Sequence, residues 1–127
     1  MKQIIKTDQS PAAIGPYSQA VKVSGDMMLF CSGQLPLDPK TMALIGATAA
    51  EQCKQVMDNL GAVLKEATAS FSDIVKTTIF LADMGDFAAV NEVYASYFDD
   101  DPPARATVQV ARLPKDARVE IEAVAVV

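Results

Sequence analysis

Apolar residues return at three- and four-residue steps through Ala49, Cys53, Val56, Leu60, Leu64 and Ala67, with Glu51, Lys54, Gln55, Asp58 and Lys65 between them. That spacing lays one apolar stripe along a helix and predicts one from about Thr48 to Ala69. Gly61 falls inside it at a cost of about 1 kcal/mol relative to Ala, which predicts close approach to a sheet. A second helical pattern carries Phe87, Val90, Tyr94 and Tyr97 on one face, with Asp86 as its expected N-cap. Strand-like segments surround these helices. Lys2 to Thr7, Ile74 to Leu81, the run after Pro103 and the run from Val119 read as strands. Met27 to Cys31 is continuously apolar, which predicts a strand buried on both faces. With Ser18 to Val23 and the turn Ser24-Gly25-Asp26, it reads as a hairpin.

The predicted order is β-β-β-α-β-α-β-β, with sequential hairpins at both ends. This is α+β, with the helices on one face of the sheet. The other face then has no cover within the chain. Composition points the same way: 50% of the 127 residues are hydrophobic, and the mean hydropathy is +0.18. A chain of this length forms one domain over residues 1–127 and leaves much of its surface in water, so this apolar content predicts burial against further subunits.

Charge and residue usage remove several classes of function. The net charge is −5 and the pI about 4.5, a poor match for a phosphate backbone. The chain has no histidine, so every mechanism with a histidine base is excluded. Cys31 and Cys53 sit far apart in apolar settings and read as buried small hydrophobes, so no zinc or other nitrogen- or sulfur-ligated metal site is expected. Met1 to Lys6 is too polar for a signal peptide and no apolar run reaches a membrane span, which predicts a cytoplasmic protein with no membrane partner.

The remaining chemistry concentrates near the C-terminus. Arg105 follows Pro103-Ala104 at the mouth of a strand, where its fork of donors is suited to clamping a carboxylate. Glu120 and Glu122 share a face of the last strand, opposite Val119, Ile121 and Ala123. If the two strands form a hairpin across Leu113 to Ala117, both polar sets come to one side. Arg105 and Glu120 are then either a cross-strand ion pair or the two halves of a site for a small anion. Tyr17, in a Gly-Pro loop, is either a packing anchor or a ligand contact, and Gly33 leaves a backbone N–H open to an anion. Phe87 reads as core before pocket wall, Asn91 is ambiguous, and Asp38, Asp58 and Asp73 read as loop or solvent-face residues. A carboxylate that activates water and an arginine that anchors an acid group suit hydrolysis of something already electrophilic, such as an imine.

Gly15-Pro16-Tyr17-Ser18-Gln19-Ala20, Ser32-Gly33-Gln34, Pro103-Ala104-Arg105 and Val119-Glu120-Ile121-Glu122-Ala123 closely resemble the Rid family of reactive intermediate deaminases, in order and across essentially the whole chain. The first motif makes the resemblance closest to the RidA subgroup, the 2-iminobutanoate/2-iminopropanoate deaminases. The resemblance implies a chorismate-mutase-like fold assembled as a homotrimer, sheets inside and helices outside, with three pockets between subunits. It implies that Arg105 binds the carboxylate of a 2-imino acid and that Glu120 positions the hydrolytic water. Tyr17, Phe87 and Gly33 would line the pocket, and no cofactor is implied. The implied substrates arise from enamines made by pyridoxal-phosphate dehydratases, and the products are pyruvate or 2-oxobutanoate with ammonia. Where some members carry a cysteine two residues after the arginine, this chain has Thr107, so no thiol acts there.

Two other readings compete with the hydrolase. A non-catalytic trimer binding a small 2-oxo acid would use Arg105 and leave Glu120 structural. A ribonuclease or translation inhibitor, an activity historically attached to the family, fits poorly with an acidic chain lacking histidine and any basic stripe.

Overall fold

The computed structural model describes every residue from Met1 to Val127. Six strands and two helices follow in the expected order: β1 (Lys2–Ile5), β2 (Ala20–Val23), β3 (Met28–Gln34), α1 (Ala49–Glu66), β4 (Ile74–Leu81), α2 (Phe87–Ala95), β5 (Ala104–Gln109) and β6 (Val119–Val126). The architecture is α+β. A four-stranded mixed sheet has the order β3-β6-β4-β5, with β4 and β5 parallel and the other neighbours antiparallel. β1 and β2 form a separate antiparallel pair.

The pairing departs from the sequence expectation at both ends. β3 does not form a hairpin with β2; it pairs with β6, while β2 pairs with β1. β5 and β6 are not a hairpin either, because β4 lies between them and pairs with both. The connection from β5 to β6 runs through Pro114 and two residues with left-handed backbone, Lys115 (φ 58) and Asp116 (φ 55), which steer the chain past a tight turn.

One face of the sheet packs under the helices. Val119, Ile121, Ala123 and Ala125 of β6 and Ile74, Ile79 and Leu81 of β4 meet Cys53, Val56, Met57, Leu60 and Leu64 of α1 and Val90 and Tyr94 of α2. The 3.6-residue stripe of α1 therefore supplies most of the helical side of the core. α1 starts where Thr48 Oγ1 accepts the Glu51 N–H at 3.2 Å. The close neighbour of Gly61 is the Phe71 ring, 3.1 Å from where a Cβ would stand, and not a strand. Asp86 begins α2 without a side-chain capping bond and faces Arg118 at 3.8 Å instead. Cys31 and Cys53 are buried and free; burial raises both thiols, Cys53 to about 12. No helix is long and apolar enough to cross a membrane.

The other face of the sheet is open. Met27, Met28 and Phe30 are exposed, Phe30 by 71%, so the apolar run at β3 is covered on one side only within the chain. The sheet needs apolar residues on both faces of β3 only if something covers the second face.

Candidate active site

Arg105 lies on β5 in register with Thr77 of β4. Thr77 is fully buried under the helices, so Arg105 emerges on the helix side of the sheet. Its guanidinium sits among three aromatic rings, with Cζ 5.4 Å from the centroid of Tyr17, 5.6 Å from Phe87 and 5.3 Å from Tyr94. Nη1 donates to Asn91 Oδ1 at 2.7 Å, and Nη2 reaches toward Gly15, 3.8 Å from where a Cβ on that glycine would stand. That is the guanidinium's sole hydrogen bond, and no carboxylate forms an ion pair with it. Burial lowers its proton affinity, partly offset by Tyr94 and Tyr17. A half-buried cation with most of its donors unpartnered is suited to an incoming anion.

Local structure fixes each wall of this setting. α2 presents Phe87, Asn91 and Tyr94 at four- and three-residue spacing, on one stripe. The Tyr94 hydroxyl is held at 2.7 Å by Thr77 Oγ1, which locks the ring beneath Arg105. Burial pushes the Tyr94 phenol up to about 12, so it stays neutral. The loop bearing Tyr17 is pinned to the mouth of β5. Ser18 N donates to Pro103 O at 3.1 Å, and Ser18 Oγ donates to Pro102 O.

Glu120 is elsewhere. It lies on β6 opposite Phe80 of β4, between the buried Val119 and Ile121, so its side chain emerges on the open face. The expectation that one hairpin brings Arg105 and Glu120 to the same side is therefore overturned: they stand on opposite faces, with β4 between their strands. No ion pair between them exists in the chain. Gly33 lies beside Glu120, where β3 slips register against β6 between Cys31 and Gln34. A Cβ at Gly33 would stand 2.5 Å from Glu120 Oε2, so only glycine leaves the carboxylate its place. Glu120 has no hydrogen-bonded cation, and its pKa is raised, first by burial and then by Glu122. A carboxylate held this way is a better proton acceptor than an ordinary one.

The five candidate residues thus fall into two half-sites. Arg105, Tyr17 and Phe87 form one, and Glu120 and Gly33 form the other. Neither lies in the hollow of about 330 Å³ on the open face, which is lined by Phe30, Ser32, Lys76, Thr78, Glu122 and Val124. Asn91, which the sequence left ambiguous, and Tyr94, which it placed on one face of the second helix, stand against Arg105. The available signal was their place on the Phe87 stripe, together with the need of a buried tyrosine hydroxyl for a partner. Thr107 follows Arg105 on the same face of β5, and its hydroxyl is buried without a partner.

A family model described as endoribonuclease L-PSP matches residues 7–127. The chain belongs to this family, also called Rid. It is 52% identical over 126 residues to the 2-iminobutanoate/2-iminopropanoate deaminase of Mus musculus, covering 99% of this chain and 92% of that one. Among solved structures, RidA from an Antarctic Psychrobacter superposes with a TM-score of 0.76 at 46% identity, covering 98% of this chain and 99% of the other. Escherichia coli TdcF with bound serine gives a TM-score of 0.75 at 44% identity, covering 98% of each chain. The observed α+β fold is the Rid fold.

Proposed function

We propose that this Rid protein hydrolyses small 2-imino acids, 2-iminopropanoate and 2-iminobutanoate, to 2-oxo acids and ammonia without a cofactor. The observation that carries this reading is Arg105, a half-buried guanidinium with one neutral hydrogen-bond partner and no carboxylate in its own chain. The substrate carboxylate takes that vacancy in the Arg105 fork, and the Tyr17 and Phe87 rings bound the alkyl end. Glu120 accepts a proton as water oxygen bonds to C2 of the protonated imine. It then returns that proton to the amino group of the tetrahedral adduct. The C–N bond breaks and ammonia leaves as Glu120, a carboxylate again, takes the proton of the C2 hydroxyl. The carbonyl forms, and Glu120 passes that proton to the departing ammonia as ammonium. The names of the mouse relative and of the Psychrobacter RidA support the substrate class, and the serine on TdcF supports binding of a small amino-acid-like molecule.

Because Arg105 and Glu120 face opposite ways, the reaction needs Arg105 of one copy beside Glu120 of the next. A homotrimer with open sheet faces inside and helices outside supplies three such junctions and covers Phe30 and Met28. Coupling the protein to a threonine dehydratase and following loss of the free imine tests the reading. Wild type is expected to accelerate the loss. Arg105→Ala is expected to raise KM steeply, and Glu120→Gln to lower kcat by about 10²-fold. A folded wild type that leaves the imine lifetime unchanged sinks the hydrolase. If 2-oxobutanoate still binds through Arg105 in that case, the protein is a binding module.

A further inference from the structure

One side chain hydrogen-bonds the Arg105 guanidinium, and no step above uses it. Asn91 accepts from Nη1 at 2.7 Å. The guanidinium has only donors to offer, so the amide must turn its oxygen toward it. Asn91 Nδ2 has no partner in the chain, which leaves the amide's whole polar role directed at Arg105. α2 therefore presents an acceptor to Arg105 between two rings, and that acceptor is neutral.

Neutrality is the informative part. An aspartate has the same shape and makes a stronger, charge-assisted contact with a guanidinium. It would also cancel the charge that an anionic ligand needs, since a second carboxylate would meet an already paired arginine. With no acceptor at all, a long side chain beside three rings is free to fold onto any of them, and binding has to order it each time. The loops offer no replacement. The Tyr17 loop brings only Gly15 and an aromatic face to the other arm of the fork.

We propose that Asn91 is a positioning residue that fixes one arm of the Arg105 fork while leaving its positive charge uncompensated for the substrate carboxylate. This rests on the anion-binding reading of Arg105 given above. Asn91 acts through Arg105 and adjusts affinity, so substitutions there change KM more than kcat.

The experiment compares wild type, Asn91→Ala and Asn91→Asp in the full-length assembled protein. One readout needs no ligand: nitrogen-15 NMR of the Arg105 side chain. Slow, resolved Nη signals are expected in wild type and their collapse in Asn91→Ala. The second readout is affinity for 2-oxobutanoate together with KM and kcat on the imine. Asn91→Asp is expected to weaken binding and raise KM by about tenfold, and Asn91→Ala by about threefold, with kcat nearly constant. A purely structural role predicts the reverse order, because aspartate preserves the shape that alanine removes. The proposal is overturned if Asn91→Asp binds 2-oxobutanoate like wild type, if alanine is the more damaging change, or if Arg105 is equally mobile in wild type and Asn91→Ala. Should Arg105 be held by Asn91 while the wild type neither binds 2-oxobutanoate nor hydrolyses imines, the positioning stands and the deaminase reading fails.

Discussion

Glu120 is a carboxylate whose surroundings favour its proton. Burial and the neighbouring Glu122 both raise its pKa from the ordinary 4.5. A raised value means the folded protein binds this proton more tightly than the unfolded chain does. The corresponding stability is present below about pH 4.5 and is lost as pH rises through the folded value. At neutral pH the ionised Glu120 is therefore a strain, which the proton-accepting role proposed for it would account for. Two outcomes follow for measurement. The acid limb of the pH profile of kcat/KM is expected above pH 4.5 in wild type and lower in Glu122→Gln, which removes the nearby negative charge. Glu120→Gln is expected to melt at or above the wild-type temperature at pH 7 while losing turnover, which separates the residue's chemistry from its structural cost. A melting temperature that falls in Glu120→Gln would contradict the strain. At this scale the sequence marked Arg105, Glu120 and Gly33 as unusual for their positions. It left Asn91 ambiguous, since a polar residue on a helix looks alike whether it faces solvent or a guanidinium.

The elements show where local pattern suffices. α1 was legible from its stripe, with observed bounds Ala49–Glu66 against an expected 48–69, and the strand read at Ile74–Leu81 is observed with those bounds. Local capping decides where α1 begins, and Thr48→Ala is expected to cost about 1 kcal/mol in a denaturant or thermal melt. An unchanged melt would mean that the Thr48 to Glu51 bond contributes nothing net. Pairing was not legible. Alternation tells which residues share a face but not which strand lies alongside, and a one-strand insertion leaves every local pattern intact. β4 enters between β5 and β6 because α2 carries the chain from β4 over to a parallel β5. A short polar segment from Leu113 to Ala117 looks like a hairpin turn in sequence. Its two left-handed residues, Lys115 and Asp116, instead route the chain past β4.

For the whole molecule, the decisive feature is the uncovered sheet face. Phe30 is 71% exposed and Met28 62%, on the face that also carries Glu120. These are the apolar residues that the proposed trimer would bury. Phe30→Asp is expected to shift the sedimentation coefficient toward that of a single 13.5 kDa chain and to abolish imine hydrolysis, while the circular dichroism of the fold is retained. A Phe30→Asp protein that sediments and turns over like wild type would remove the open face from the assembly.

The opposite orientation of Arg105 and Glu120 also has a genetic consequence. If each junction draws one residue from either neighbour, two impaired subunits contain between them everything a live site needs. Arg105→Ala and Glu120→Gln proteins, each strongly impaired alone, are then expected to regain activity once unfolded together and refolded as mixed assemblies. Equal mixing gives intact junctions at about a quarter of the sites. Each revived site would pair the arginine of one broken copy with the glutamate of the other.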